Sequence, residues 1–129
     1  MADGSAEAGI EQAYRDYVAA FNREDSAGVA AVLDYPIMVE GGNSPPTTIA
    51  DAAGYRRMIE RVFAEFKALG WVRSQIDKLQ AFPTAGDTGV LLAHFSRWHA
   101  DGSLLIAGSG HYVMRKDQDG WRIIAAIAT

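Results

Sequence analysis

The chain has 129 residues, of which 49% are hydrophobic and 22% are charged, as is typical of a soluble chain with one core. Its net charge of −4 argues against a nucleic-acid partner, and the absence of cysteine excludes disulfides and thiolate metal sites. The acidic N-terminus does not resemble a secretory signal, and no apolar run is long enough for a membrane helix. We expect a cytoplasmic protein with no cofactor, no metal site, and no nucleic-acid or membrane partner.

The N-terminal part of the chain predicts two helices. Residues 1–6 are small or acidic and are expected to form a disordered leader before a single domain over residues 7–129. Apolar residues recur at three- and four-residue steps from Glu7 onwards, which predicts a helix. Asp25 or Ser26 can cap a second, shorter helix, because short polar side chains accept hydrogen bonds from the first turn.

A short hairpin and a long helix follow. Tyr35–Glu40 is predicted as a strand, the glycine- and proline-rich residues 41–46 as a turn, and Thr47–Ala50 as a short return strand. Asp51 is expected to cap a helix over Ala52–Leu69, whose apolar residues form one consistent face.

The remainder of the chain reads as strands joined mainly by tight turns. Gly70 suits a left-handed stop after the long helix. The predicted strands are Trp71–Phe82, Thr88–Ala100, Ser103–Arg115 and Trp121–Ala128. Consecutive strands joined by tight turns pair antiparallel. The fold class is therefore α+β, with a curved antiparallel sheet wrapped around the N-terminal helices.

The turn at Asp101–Gly102 determines how the second and third of these strands pair. Asp-Gly between apolar runs favours a two-residue type I′ turn, which needs positive φ at both residues. That turn pairs His94 with Ser109 and Leu92 with His111, so the two histidines share one face of the sheet. A three-residue loop would shift this register by one residue and separate them.

The opposite face of the same hairpin is also apolar. It carries Leu91, Ala93, Phe95, Leu104, Ile106, Tyr112 and Met114. A large exposed apolar face usually marks an interface. We therefore expect a homodimer through this sheet face, with Arg97, on the same face, at the interface or the rim.

The element order resembles the nuclear-transport-factor-two-like superfamily, which includes ketosteroid isomerases and SnoaL-like cyclases. The resemblance rests on that order and on these segments: Tyr17–Asn22, Asp25, Val32–Leu33, Val39–Gly42 and Gly120–Ile123. It implies a cystatin-like α+β cone, a conical pocket for a hydrophobic small molecule, and dimers across the sheet. It also places the shared histidine face inside the cone.

The resemblance does not extend to ketosteroid isomerase catalysis. Gly41 stands where those enzymes carry an aspartate base, and Gly110 stands where they carry a second acidic group. Only the helix tyrosine has a counterpart, in Tyr14 or Tyr17. This departure argues against ketosteroid isomerase chemistry.

Three functions remain open at this point: small-molecule binding in a mostly apolar pocket without an assigned activity, cofactor-independent proton transfer, and protein interaction through the sheet face. For proton transfer, the candidate bases are His94, His111 and Glu40. The candidate ligand-binding residues are Tyr14, Tyr17, Met38, Tyr55, Met58, Ile59, His94, Trp98 and His111. Each has a structural alternative, because aromatic residues at helical spacing are often core residues and a histidine can be satisfied by a neighbouring hydroxyl.

Overall fold

The computed structural model describes residues 2–41 and 44–128. These residues form three helices and six strands, in the order α1 Ala2–Asn22, α2 Ser26–Ala31, β1 Leu33–Gly41, β2 Ser44–Ile49, α3 Ala52–Ala68, β3 Trp71–Pro83, β4 Thr88–His99, β5 Leu104–Asp117 and β6 Gly120–Ala128. The predicted element order is thus confirmed, with most boundaries within two residues. Two residues of the predicted glycine-rich turn, 42 and 43, lie outside the described residues.

The strands form one curved sheet in the order β2-β1-β6-β5-β4-β3. Neighbouring strands pair antiparallel except β1 and β6, which pair parallel, with Val39 opposite Ala126. The α+β fold class is confirmed. The parallel pair was not predicted, because it joins strands from opposite ends of the chain.

The helices begin and end where capping chemistry places them. Asp25 accepts a hydrogen bond from the Gly28 amide at 3.0 Å, and Asp51 accepts one from the Gly54 amide at 2.8 Å. Gly70, with φ of 95°, follows the last turn of α3 in the left-handed conformation. No described helix is long and apolar enough to cross a membrane.

Helix α1 begins earlier than its apolar spacing indicates. It starts at Ala2 and so includes residues 2–6, where the composition predicts a disordered leader. Alanine has the highest helix propensity, and no proline interrupts this stretch. The apolar spacing begins only with the residues that pack in the core, of which Ile10 is the first, and therefore does not indicate where the helix starts.

The hairpin between β4 and β5 closes with a three-residue loop. The His99 amide donates to the Ser103 carbonyl, and the Gly102 amide donates to the His99 carbonyl. Gly102 has φ of 87°, whereas Asp101 does not have a positive φ. The predicted type I′ turn is therefore wrong, and the loop is instead a turn followed by a left-handed glycine.

A bulge next to this loop restores the predicted register. Arg97 pairs with Ile106 while Trp98 pairs with Leu104, which leaves Leu105 as an extra residue on β5. The extra residue in the loop and the extra residue in the strand compensate each other. Leu92 therefore pairs with His111 and His94 with Ser109, as predicted.

The two faces of this hairpin are the reverse of the expected assignment. Leu91, Ala93 and Met114 are fully buried in the core together with Ile10 of α1, whereas His94 and His111 are exposed. The helices thus cover the face expected to form a dimer interface, which we call the concave face. The histidines lie on the opposite, convex face, because a core forms on the more apolar side.

The loop geometry generates a test at Asp101, whose carboxylate accepts hydrogen bonds from the Ser103 amide at 2.8 Å and the Ser103 hydroxyl at 2.6 Å. We expect Asp101→Gly to lower the free energy of unfolding by about 1 kcal/mol, because these bonds are lost and glycine loosens the unfolded chain. Urea denaturation measures the change. A type I′ turn requires the opposite sign, since glycine would relieve a left-handed aspartate.

Candidate functional site

A cavity lies between α1 and the concave face of the sheet. Its volume is about 60 Å³. Aromatic side chains predominate in its wall, together with one arginine, and the lining residues are Tyr14, Tyr17, Val18, Phe21, Ser74, Gln75, Phe95, Arg97, Tyr112 and Ala128. The wall therefore combines apolar surface with a few converging polar groups, as is typical of ligand sites.

Arg97 provides the positive charge of this cavity. Its guanidinium carbon lies 4.5 Å from the ring centroid of Phe95 on β4 and 4.5 Å from that of Phe66 on α3. Its Nε atom is buried and has no hydrogen-bond partner, and Arg97 takes part in no ion pair among residues 2–41 and 44–128. Burial lowers the pKa of this guanidinium, but an arginine remains charged at neutral pH.

Three tyrosines lie close to this charge, Tyr14, Tyr17 and Tyr112, and with Tyr55 they form two interacting pairs. The Tyr14 and Tyr112 hydroxyls interact, with ring centroids 4.9 Å apart, and the Tyr17 hydroxyl interacts with that of Tyr55. Burial raises the pKa of Tyr14 to about 12 and also raises the pKa values of the other three. All four are therefore neutral at physiological pH.

The hydroxyl pairs retain hydrogen-bonding capacity. Two paired hydroxyls carry two hydrogens and use one of them between themselves, so one hydrogen in each pair can be donated elsewhere. Tyr14 and Tyr17 line the cavity, and both are close enough to Arg97 for its charge to lower their pKa values against the larger effect of burial. The cavity thus presents a cation and neutral donors.

Gly110 lets the Tyr112 ring lie flat against β5. A Cβ atom at this glycine would come within 2.5 Å of the Tyr112 hydroxyl oxygen, which is closer than packed side chains approach. Gly110 therefore makes room for a phenol ring. Its absent side chain allows Tyr112 to reach Tyr14 across the cavity wall.

The structure brings together only part of the predicted site. Tyr14 and Tyr17 line the cavity, and Tyr55 interacts with Tyr17 from behind the wall. Met58 and Ile59 of α3 pack in or against the core and do not line it.

The other predicted site residues lie away from the cavity, on the convex face. His94, His111 and Glu40 are exposed there, and Met38 pairs with Ala125 on the same side. Their exposure and their strand register show that these residues do not line the pocket to which the sequence assigned them. Three candidate bases are consequently separated from the tyrosines by the thickness of the sheet.

Trp98 also lies on the convex face, in a chain of polar contacts. Its indole donates to the Ser96 hydroxyl at 2.8 Å, and that hydroxyl donates to Asp77 at 3.2 Å. The Arg73 guanidinium lies 5.2 Å from the Trp98 ring centroid. Through these contacts Trp98 has a structural role on the convex face.

Sequence reasoning missed Arg97, Phe95 and Tyr112 as site residues because it placed their face outside. A signal was available, since the face with Leu91 and Met114 is more apolar than the face with two histidines. Comparing the two faces in this way would have placed Arg97 inside.

The arrangement can bind and orient a ligand more readily than it can move a proton. The lining residues include no carboxylate and no imidazole, and the ionisable ones are arginine and tyrosines with raised pKa values. A general base for neutral pH needs a pKa near the operating pH. Within residues 2–41 and 44–128, no cluster of histidine and acidic residues could hold a metal ion.

Comparison with known proteins places this geometry in a family. The model of a family described as NTF2-like protein (DUF6841) matches residues 6–129. No curated protein sequence shows significant similarity to the chain.

Several solved structures share the fold at low sequence identity. An NTF2-like protein with a cystatin-like fold from Novosphingobium aromaticivorans superimposes with a TM-score of 0.79 at 12% identity, covering 96% of this chain and 80% of that one. A proposed dehydratase of the NTF2-like family from Streptomyces avermitilis gives 0.74 at 14% identity, covering 98% and 96%. A ketosteroid isomerase-like protein from Erwinia carotovora atroseptica gives 0.68 at 19% identity, covering 95% and 93%. At these identities, the likeness shows the fold alone.

The buried tyrosines generate a prediction for alkaline pH. Tyr14 titrates at about 12 in the folded state against 10.0 ordinarily, so its contribution to stability is fully present below pH 10 and is lost as the pH rises towards 12. At about 1.4 kcal/mol per pKa unit, the loss approaches 3 kcal/mol.

Urea denaturation between about pH 8 and pH 12 measures this loss, with tyrosinate absorbance as a second signal. We expect Tyr14→Phe to flatten the decline in unfolding free energy, because one shifted group is removed. A wild-type stability that does not change while all tyrosines ionise near their ordinary pKa would contradict the burial argument.

Proposed function

The chain belongs to the NTF2-like family DUF6841, and from this and its cavity we propose that it binds a small organic molecule on the concave face of the sheet. A buried donor without an acceptor belongs to the wall of this aromatic cavity, and this observation carries the proposal. Among the described residues, the Arg97 Nε is the buried side-chain atom that has no hydrogen-bond partner, and Arg97 lines the cavity beside Tyr14 and Tyr17. Buried donors are normally paired, so a partner that enters from outside resolves the mismatch.

The dimensions of the cavity limit what enters it. About 60 Å³ holds a few water molecules or one functional group, whereas pockets for drug-sized ligands span roughly 300–1,000 Å³. A ligand therefore inserts its polar end, and a larger body requires side chains of the wall to move. Val18 and Ala128 are the small apolar residues of that wall.

Proton transfer without a cofactor has less support. His94, His111 and Glu40 are on the convex face, and none of the described residues that line the cavity is suited to act as a base at neutral pH. The isomerase-like and dehydratase neighbours have identities too low to transfer an activity.

We also propose that the convex face mediates a homodimer. Val90, Leu92, Val113 and Ile127 lie next to one another on β4, β5 and β6, and Val113 is 40% exposed. A sheet face with aligned apolar side chains packs well against a second copy of itself, since a twofold axis matches like residues. This proposal replaces the dimer expected through the concave face, where Leu91, Ala93, Phe95, Tyr112 and Met114 are buried and only Leu104 and Ile106 of the expected interface are exposed.

Phenol is a suitable probe of the cavity, because its ring and hydroxyl match the wall. Its ring is larger than a space of about 60 Å³, so side chains of the wall move when it enters. We expect phenol at millimolar concentration to shift the backbone amide signals of Tyr14, Tyr17 and Phe95 saturably in nuclear magnetic resonance spectra. Signals of His94 and His111 should remain unchanged. Saturable shifts on the convex face alone would contradict the proposed site.

A matched pair of valine substitutions localises the binding. Val18→Phe fills the cavity and should weaken phenol binding about tenfold, which corresponds to 1.4 kcal/mol. Val72→Phe adds the same ring at an exposed β3 position outside the cavity and should leave the affinity unchanged. Equal affinities for both variants would place phenol elsewhere.

The proposed dimer is tested at Val113. We expect the wild-type protein to sediment as a dimer at micromolar concentration, and Val113→Lys to sediment as a monomer, because it places like charges opposite each other across the twofold axis. Leu69→Lys, on an exposed residue that follows α3, is the control and should remain dimeric. A monomeric wild-type protein contradicts the dimer but leaves the cavity proposal intact.

A further inference from the structure

Resting on the proposed function above, we infer that the polar end of the ligand is a carboxylate, held by the guanidinium of Arg97. This identifies the ligand class as small organic acids with an apolar, preferably aromatic, body.

Within residues 2–41 and 44–128, no carboxylate compensates the charge of the cavity. Among the lining residues, Arg97 is the only one with a formal charge, since the others are apolar, hydroxyl-bearing or amide side chains. No described carboxylate forms an ion pair with it. A half-buried cation such as Arg97, whose Nε is buried without a partner, favours an anionic ligand over a neutral one of the same shape.

The arginine donors are available to such a ligand. Phe66 and Phe95 contact the guanidinium through their rings, which hold it in place but offer no hydrogen-bond acceptor of ordinary strength. The planar fork of an arginine matches the two oxygens of a carboxylate. Nε, one of the fork nitrogens, is buried and has no partner.

The tyrosines complete the site as neutral donors. Tyr14 and Tyr17 line the same cavity as Arg97, and each belongs to a pair that can donate one further hydrogen. Burial keeps these phenols protonated, so that they add hydrogen bonds to an anion without adding negative charge.

The shape of the wall favours a carboxylate over larger anions. A volume of about 60 Å³ suits a planar group of three heavy atoms better than a tetrahedral phosphate, and a single arginine does not balance a dianion. The rings of Tyr17, Phe21 and Phe95 border the same space and offer apolar surface to the body of the ligand.

Benzoate and benzamide form a matched pair of probes for this inference, because they differ chiefly in charge. We expect titration calorimetry at neutral pH to show that benzoate binds the wild-type protein at least tenfold more tightly than benzamide. Acetate should bind more weakly than benzoate, because it lacks the ring. A benzamide affinity equal to that of benzoate would overturn the inference.

Substitutions at two arginines test whether Arg97 causes the preference for benzoate over benzamide. Arg97→Met keeps the length of the side chain without the charge and should bind both probes equally, whereas Arg97→Lys should keep a reduced preference for benzoate. Arg73→Met is the control, since Arg73 also stacks on an aromatic ring but lies on the convex face, and its preference should be unchanged. A preference for benzoate that persists in Arg97→Met would overturn the inference.

Two further measurements distinguish a failure of the carboxylate inference from a failure of the proposed small-molecule function. Thermal unfolding of Arg97→Met should show a midpoint at or above that of the wild type, because an unpaired buried charge is removed. If phenol shifts the cavity signals but benzoate has no advantage over benzamide, only the carboxylate inference fails. If neither phenol nor benzoate perturbs the cavity, the proposed small-molecule function fails with it.

Discussion

The packing of α1 against the concave face of the sheet is the constraint on which the rest of the structure depends. Side chains alternate between the two faces of a strand, so a covered face commits every second residue to the interior. Tyr14 packs against Tyr112 across this contact, with ring centroids 4.9 Å apart. The same contact places Arg97 inside, because it lies two residues beyond Phe95 on β4.

The bulge at the end of the β4–β5 hairpin makes this burial of alternate residues compatible with the three-residue loop. Three loop residues alone would displace the pairing by one position and turn Leu91 or its partner Tyr112 out of the core. The extra residue Leu105 compensates the displacement close to the loop, before the strands enter the core. Burial of the concave face therefore decides the register of the hairpin, and the turn adapts to it locally.

Local chemistry was sufficient to predict much of the fold. Asp25 and Asp51 cap helices for reasons visible within four residues of each, and Gly70 stops α3 for a similar reason. The parallel pairing of β1 with β6 depends on residues about 85 positions apart, as in the pair Val39 and Ala126, and no local pattern encodes it.

The site was harder to predict, because both faces of the hairpin carry apolar side chains. His94 and His111 were correctly predicted to share one face. The pocket was assigned to that face because of them, whereas the cavity lies on the opposite side of the sheet. Tyr14 and Tyr17 were predicted because a helix with one apolar stripe leaves little doubt about its buried side. Arg97 depends on Phe66, a residue on α3 that sequence spacing does not connect to β4.

Arg73 and Arg97 show how position in the sheet changes the meaning of one residue type. Arg73 donates to Gln75 at 3.2 Å, stacks on Trp98 and remains in solvent, so its charge costs little. Arg97 also stacks on aromatic rings, but its Nε is buried without an acceptor, at a cost of about 1–3 kcal/mol. An apolar side chain of similar length at this position would remove that cost from the empty protein. A ligand that supplies the acceptor removes this cost when it binds, so the gain adds to its binding free energy. Arg97 therefore lowers the stability of the empty protein and raises its affinity for such a ligand.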